Sequence, residues 1–394
     1  MRKIYFLILA LSLGACTQKE SLNEKIDATL ETAVSQYAYL ATQLPEGKFP
    51  KTYDVENDHL ETSNSDWWCS GFYPGTLLYL TEATDAPELK KEAKQALEDL
   101  EKEQFNTSTH DLGFMMYCSF GNAQRLQPNP EYEKVLMNSA KSLVTRFNDT
   151  VGVIRSWDNA EWNQGGPDDL LVIIDNMMNL ELLFWATRHS GDSTYYKVAV
   201  QHADNTMENH FRKDYSSYHV VVYDVHTGEV KEQRTDQGAA DESAWARGQA
   251  WGLYGYVVMY RETKDAKYLQ QAERIAEYIL NHPNLPENKI PYWDFNASDI
   301  PDALRDTSAG AIIASALLEL SQYADGEKGE RYYDKATAFL TGLLQPAYIA
   351  EVGTNGGFLL KHGVGNIPKN SEVDVPLTYG DYYLVEAMLR YKNI

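Results

Sequence analysis

Ser243-Ala244-Trp245-Ala246-Arg247-Gly248-Gln249-Ala250-Trp251-Gly252-Leu253-Tyr254 is apolar on more than one helical face, so a helix built from it belongs inside a protein. Pro87-Glu88-Leu89-Lys90-Lys91-Glu92-Ala93-Lys94-Gln95-Ala96-Leu97 is the opposite kind, with charge on one face and apolar residues on the other. A helix of the first kind has to be covered by helices of the second. The two kinds alternate along the chain in twelve candidate helices, near 22–44, 71–83, 86–103, 112–126, 131–147, 169–190, 194–211, 241–262, 265–281, 302–323, 328–345 and 378–392. The odd-numbered ones are amphipathic and the even-numbered ones apolar, rich in Gly, Ala and aromatics.

Six inner–outer hairpins predict an all-α (α/α)6 toroid, with an irregular bundle or a helical solenoid as the alternatives. A weak repeat agrees: Tyr132, Tyr196, Tyr268 and Tyr333 open four of the amphipathic helices. The stretch from Tyr215 to Val230, with Tyr218-His219-Val220-Val221-Val222-Tyr223-Asp224 and a turn at Thr227-Gly228, predicts a small inserted β-hairpin. No segment reads as a linker between domains.

Composition narrows the class. With 43% hydrophobic and 12% aromatic residues, 394 residues bury a large core, and a net charge of −22 argues against a nucleic-acid partner. Any anionic ligand would need a pocket that gathers its own positive groups. Met1-Arg2-Lys3, the apolar run Ile4–Leu13 and Leu13-Gly14-Ala15-Cys16 have the layout of a lipoprotein signal. The expectation is a removed leader at 1–15, lipid on Cys16, a tether over 16–25 and one domain over 26–394, exported to the periplasm and touching the membrane only through the lipid. Cys69 and Cys118 then remain, too few for a disulfide framework or a zinc site, and read best as separate buried thiols. No His-Glu-x-x-His, phosphate loop or dinucleotide fingerprint occurs, so neither a metal nor a cofactor is expected. The oligomeric state is open.

Chemistry collects where the even helices begin. Asp175 lies in Ile173-Ile174-Asp175-Asn176-Met177-Met178-Asn179-Leu180, an apolar setting that disfavours its charged form and makes it a candidate general acid, although a turn cap or ion pair is the plainer reading. Asp111 is either a helix cap or a second acid. Trp68, Trp157 and Trp251 are core residues or sugar-stacking faces, His219 a solvated hairpin residue or a ligand, and Arg247 an ion-pair member or an anion-binding group; Gln237 and Asp241 stand near the start of the eighth helix. Asn163-Gln164-Gly165-Gly166 leads toward Asp175. In a toroid these helix starts share one rim. Aromatics, carboxylates and amides around a pocket suit sugars, and helix N-termini add partial positive charge.

At these residues the chain resembles the unsaturated glucuronyl hydrolases, glycoside hydrolase family 88, from about Trp67 onward. The resemblance runs through Trp68-x-x-Gly71-Phe72-x-Pro74-Gly75, His110-Asp111-Leu112-Gly113-Phe114, Ile174-Asp175-x-Met177-Met178-Asn179-Leu180, Arg247-Gly248-Gln249-Ala250-Trp251 and Gly380-Asp381-Tyr382-Tyr383. It implies an (α/α)6 barrel and a hydrolase that removes a 4,5-unsaturated uronic acid from the non-reducing end of lyase-made oligosaccharides of heparin or heparan, chondroitin or hyaluronan. The implied reaction is hydration of the C4=C5 vinyl ether, with Asp175 as proton donor and then base for water, and Asp111 binding ring hydroxyls. His219, Gln237, Arg247 and Trp251 fall in the order of family pocket residues, with Trp157 as a stacking wall and Arg247 as partner for the substrate carboxylate or a nearby polar contact. An unsaturated rhamnogalacturonyl hydrolase and a non-catalytic glycan-binding lipoprotein are the competing readings. Choice among glycosaminoglycans and their sulfates falls to the loops 296–305 and 362–374, where Lys361, His362, Lys369 and Ser371 would meet a sulfate or stay solvated.

Overall fold

Six helices with too many apolar faces to meet water stand in a ring in the computed structural model, which describes residues 21–158 and 165–394. They are α2 (Phe72–Thr84), a π-wound segment Gly113–Gly121 running into α4 (Asn122–Leu126), α6 (Leu180–Ser190), α8 (Ala246–Thr263), α10 (Thr307–Ser321) and α12 (Thr378–Asn393). Each touches the next, and α12 returns to α2, closing the ring. Nearly every side chain of α10 is buried, as an inner helix requires.

The outer helices are α1 (Leu22–Gln43), α3 (Pro87–Leu100), α5 (Pro130–Val144), α7 (Ser193–Asn209), α9 (Ala266–Asn281) and α11 (Gly326–Leu343). On α9 the buried set Tyr268, Gln271, Ala272, Ile275, Ala276 and Ile279 follows the spacing of one helical face. Asp265 and Asp192 cap α9 and α7 by accepting from Lys267 N at 3.0 Å and Thr194 N at 2.8 Å. The repeated tyrosines do fall on outer helices, yet Tyr268 is buried and Tyr196 exposed, so the repeat marks hairpins without marking equivalent packing.

Four expectations need correction. The first helix opens with a capping box at Ser21 and Glu24, so ordered structure begins inside the stretch read as a tether over 16–25. The stretch 169–190 is not one helix: Asp169–Ile173 is a strand, Ile174–Asn179 a 3-10 turn, and only from Leu180 is it α-helical. An apolar run without polar punctuation fits a buried strand as well as a buried helix, and pairing decides. The strands β1 (Phe49–Asp54) and β2 (His59–Ser63) form one hairpin and β3 (Phe147–Asn148) and β4 (Val153–Ile154) another. Next, β5 (Asp169–Ile173) pairs antiparallel with β6 (Val220–Asp224), which pairs with β7 (Val230–Arg234), so the inserted hairpin became a three-stranded sheet. A last hairpin joins β8 (Gly363–Asn366) to β9 (Ser371–Val375). The segments before α8 and α10 are loops until Ala246 and Thr307, because Asp306 caps α10 by accepting from Ser308 N at 3.0 Å.

Ring closure is fastened at Asp381 on α12, whose carboxylate accepts from Leu359 N and Leu360 N at 2.8 Å each and from the Tyr37 hydroxyl of α1 at 3.1 Å. Burial pushes this carboxyl up to about 7, against the pull of the two backbone donors. Asp381→Ala strands three buried donors, and the expected loss is about 3 kcal/mol or more, read as a lower denaturant midpoint. Cys69 and Cys118 are both free thiols, and Cys69 is buried. No helix among the described residues is long and apolar enough to cross a membrane. The leader 1–15, Cys16 and Asn163-Gln164 lie outside the described residues.

Candidate active site

The register of β5 against β6 places Asp175. Ile173 pairs with Val220, and the next rung is Ile174 N donating to His219 O at 3.0 Å, which sets Asp175 beside His219. The strand stops there because Asn176 turns inward, its amide donating to Ile154 O at 2.8 Å and lying 3.3 Å from Ser156 Oγ. One turn on, Asn179 Oδ1 accepts from Gly113 N at 2.8 Å and Phe114 N at 3.3 Å, capping the π-wound segment of the neighbouring hairpin. Gly113 is required for that approach, since a Cβ there would sit 2.4 Å from Asn179 Cα. Two amides and a glycine thus lock the Asp111 segment to the Asp175 segment.

Asp175 is buried, and its Oδ2 has no hydrogen-bond partner among the described residues. Burial raises its carboxyl to about 7, and Asp111 adds to the rise; the Arg247 charge is the largest opposing effect, followed by a backbone N–H and the Trp251 indole. Asp111 accepts from Thr109 Oγ1 at 2.9 Å and has His110 Nε2 3.2 Å from its other oxygen. Its own carbonyl takes Met115 N at 2.8 Å, so it stands at a helix start, but the oxygen that caps that segment is Asn179 Oδ1 and not the Asp111 carboxylate, so the helix-cap reading is corrected.

His219 is buried, not solvated. Its Nδ1 accepts from Asp236 N at 3.0 Å and Gln237 N at 3.2 Å, and burial, then Arg247, holds the ring neutral well below the usual histidine range. A neutral ring with Nδ1 as acceptor carries its proton on Nε2, which lies 3.8 Å from Asp175 Oδ2.

Of the two readings of Arg247, the structure shows the ion pair. Its NH1 donates to Asp306 Oδ2 at 3.2 Å and to Val364 O, and its NH2 donates to Gln237 Oε1 at 2.9 Å and Gly365 O at 2.8 Å. Trp245 and Tyr379 cover its faces, with centroids 4.4 and 5.2 Å from Cζ. Both terminal nitrogens are therefore committed, and Arg247 cannot fork onto a substrate carboxylate without breaking these bonds. It acts as a buried positive charge and, by occupying Gln237 Oε1, leaves the amide N–H groups as the remaining donors of that side chain.

The tryptophans also separate. Trp251 is fully buried against Phe114 and Tyr383 and offers no stacking face. Trp68 is half-buried among Phe72, Phe114 and Tyr379, and Trp157 half-buried with its ring edge-on to His219 at 5.9 Å; these two keep surface at the rim. Asp241 is exposed and accepts from Thr235 N at 2.8 Å, shaping the loop before α8. Of the loop residues assigned to sulfate or solvent, Lys361 Nζ reaches Pro346 O at 2.8 Å, His362 pairs with Asp374 at 2.7 Å and Lys369 bridges to both oxygens of Asp236 at 2.8 Å.

Sequence reading placed His110 and Asp306 at helix starts without a role of their own and assigned none to Asn176, Asn179 and Glu372. The asparagines were visible as amides in an apolar run, which signals buried polar work. Glu372, raised by burial and faced by Lys51 and Arg247, carried no local signal. No cluster of side chains among the described residues is built to hold a metal ion. A cavity of about 750 Å³ opens at the opposite mouth of the toroid, lined by Tyr117, Glu181, Arg261, Glu386 and Arg390 among others. Its charges are spent on each other: Arg261 pairs with Glu181 and Glu319, Arg390 with Glu319 and Glu386.

The sequence model of glycosyl hydrolase family 88 matches residues 43–393. The chain belongs to glycosyl hydrolase family 88. Among family 88 relatives, the unsaturated glucuronyl hydrolase of Formosa agariphila is 44% identical, over 100% of this chain and 99% of that protein. The crystal structure of an unsaturated glucuronyl hydrolase specific for heparin superposes with a TM-score of 0.90 at 45% identity, covering 94% of this chain and 99% of that one. A Streptococcus agalactiae unsaturated glucuronyl hydrolase mutant complexed with dGlcA-GalNAc6S gives 0.80 at 29% identity, over 95% and 93%. These family 88 structures are (α/α)6 toroids, as is this chain, and it is a glycoside hydrolase.

Proposed function

We propose that this enzyme removes the 4,5-unsaturated uronic acid from the non-reducing end of lyase-generated glycosaminoglycan oligosaccharides, heparin-type chains first, by hydrating the C4=C5 bond. The observation that carries the reading is Asp175, a buried carboxyl raised to about 7 beside a second carboxylate and a neutral histidine. Such a group keeps its proton near neutrality and can deliver it to carbon. The reaction starts when the Asp175 proton passes to C4 and positive charge develops at C5 and the ring oxygen. The carboxylate just formed takes a proton from the water that adds at C5. The resulting hemiketal opens, giving a C5 ketone and a C1 hemiacetal, which collapses to an aldehyde and releases the sugar.

Asp111, Gln237 and the His219 Nε2–H line the place where ring hydroxyls and the uronate carboxylate would sit, with Trp157 and Trp68 as walls. Helix N-termini and the buried Arg247 charge offset the protein's negative charge there. The heparin preference rests on similarity to the heparin-specific enzyme, at 45% against 29% for the Streptococcus agalactiae one. Comparing kcat/KM on unsaturated heparin, chondroitin and hyaluronan disaccharides, read as loss of the double-bond absorbance, tests it; faster turnover of the chondroitin disaccharide would reverse the assignment.

Asp175 must be protonated to act, so kcat/KM should be flat below its ionisation at about 7 and fall about tenfold per pH unit above it. A profile that instead rises through this range would assign Asp175 to base chemistry from the start. We also propose export and lipid attachment at Cys16, which labelling with a radioactive fatty acid tests against Cys16→Ser.

A further inference from the structure

We propose that Trp67 and Lys51 form a subsite for sugar units beyond the first two of the substrate, an inference that rests on the function proposed above. Trp67 lies in the turn before α2, at the mouth where the inner helices begin and Asp175 sits. Its neighbour Trp68 packs into the site wall, but Trp67 does not: the residue is 42% exposed. An indole at the rim of a sugar pocket that keeps apolar surface in water is suited to a pyranose C–H face.

Lys51 makes this a built feature. From β1 its Nζ lies 5.5 Å from the Trp67 ring centroid, while Glu61 and Glu372 hold it from the side at 3.6 and 3.8 Å. Glu372 in turn sits against Gly365, whose carbonyl fixes Arg247; a Cβ on Gly365 would meet Glu372 Oε2 at 2.7 Å. A continuous set of contacts therefore runs from Arg247 through Gly365, Glu372 and Lys51 to the exposed indole. With two carboxylates beside it, Lys51 adds no strong net charge. It can donate to a ring hydroxyl or a uronate oxygen at the edge of a sugar stacked on Trp67.

Catalysis needs only the terminal disaccharide, so this subsite would act on affinity for longer chains. In an Asp175→Asn background, dissociation constants are measured by calorimetry for an unsaturated disaccharide and an unsaturated tetrasaccharide of the same polymer. Adding Trp67→Ala should lower the tetrasaccharide-to-disaccharide affinity ratio about tenfold, the effect of losing one aromatic–sugar stack. Trp67→Phe should keep most of the ratio, separating lost stacking from a disturbed loop. An unchanged ratio in Trp67→Ala, or equal weakening of both sugars, overturns the subsite. If the Trp67-intact protein binds neither sugar, the proposed substrate fails and the subsite with it.

Discussion

Asp175→Asn loses roughly a thousandfold in kcat on an unsaturated disaccharide, while its unfolding midpoint at alkaline pH stays at or above that of the wild type. The first half follows from chemistry, because an amide of the same shape has no proton to give to C4 and no basic oxygen for water. The second follows from burial. Asp175 Oδ2 has no hydrogen-bond partner among the described residues, and burial disfavours its ionised form enough to raise it to about 7. Above that pH the folded protein holds a carboxylate it solvates poorly, and a neutral amide removes that cost. Loss of activity together with loss of stability would show a structural Asp175 in place of a catalytic one.

Arg247→Met has the second large effect, and it is double. Asp306 Oδ2, Gln237 Oε1 and the Val364 and Gly365 carbonyls all lose their donor in a buried place. Breaking a buried ion pair from one side typically costs about 3–5 kcal/mol, so chemical denaturation should show a much lower midpoint. Arg247 is also the largest influence pulling the Asp175 carboxyl down. Its removal should carry the alkaline limb of kcat/KM to higher pH in whatever activity survives. Arg247→Lys keeps the charge and should leave the limb near its original place, although it loses the four-point geometry. A limb that moves equally in both variants would mean that distorted structure, and not charge, is responsible.

The toroid was legible because inner and outer helices differ in composition over many residues; α8 and α3 are distinguishable at a glance. The Asp169–Ile173 strand was not, since it is apolar on both faces and becomes a strand only through a partner about fifty residues away at Val220–Asp224. The same long-range pairing explains why the hairpin sequence left His219 open between a solvated residue and a ligand, whereas the structure buries it beside Asp175. Asp175 and Asp111 stood out because a carboxylate is costly in an apolar run, which a single sequence records. Arg247 shows where such reading stops: its residue type was visible, but its commitment to Asp306, Val364 and Gly365 depends on residues far along the chain. Glu372 was hidden for the same reason.

The central claim is that Asp175 protonates a carbon–carbon double bond. Turnover of an unsaturated disaccharide in D2O, quenched rapidly and followed by NMR, tests it most directly. Hydration predicts one deuterium at C4 of the released uronate on a single face, appearing in step with loss of the double-bond absorbance and with sugar release. Sugar released with the C4=C5 bond intact and C4 free of deuterium would contradict it.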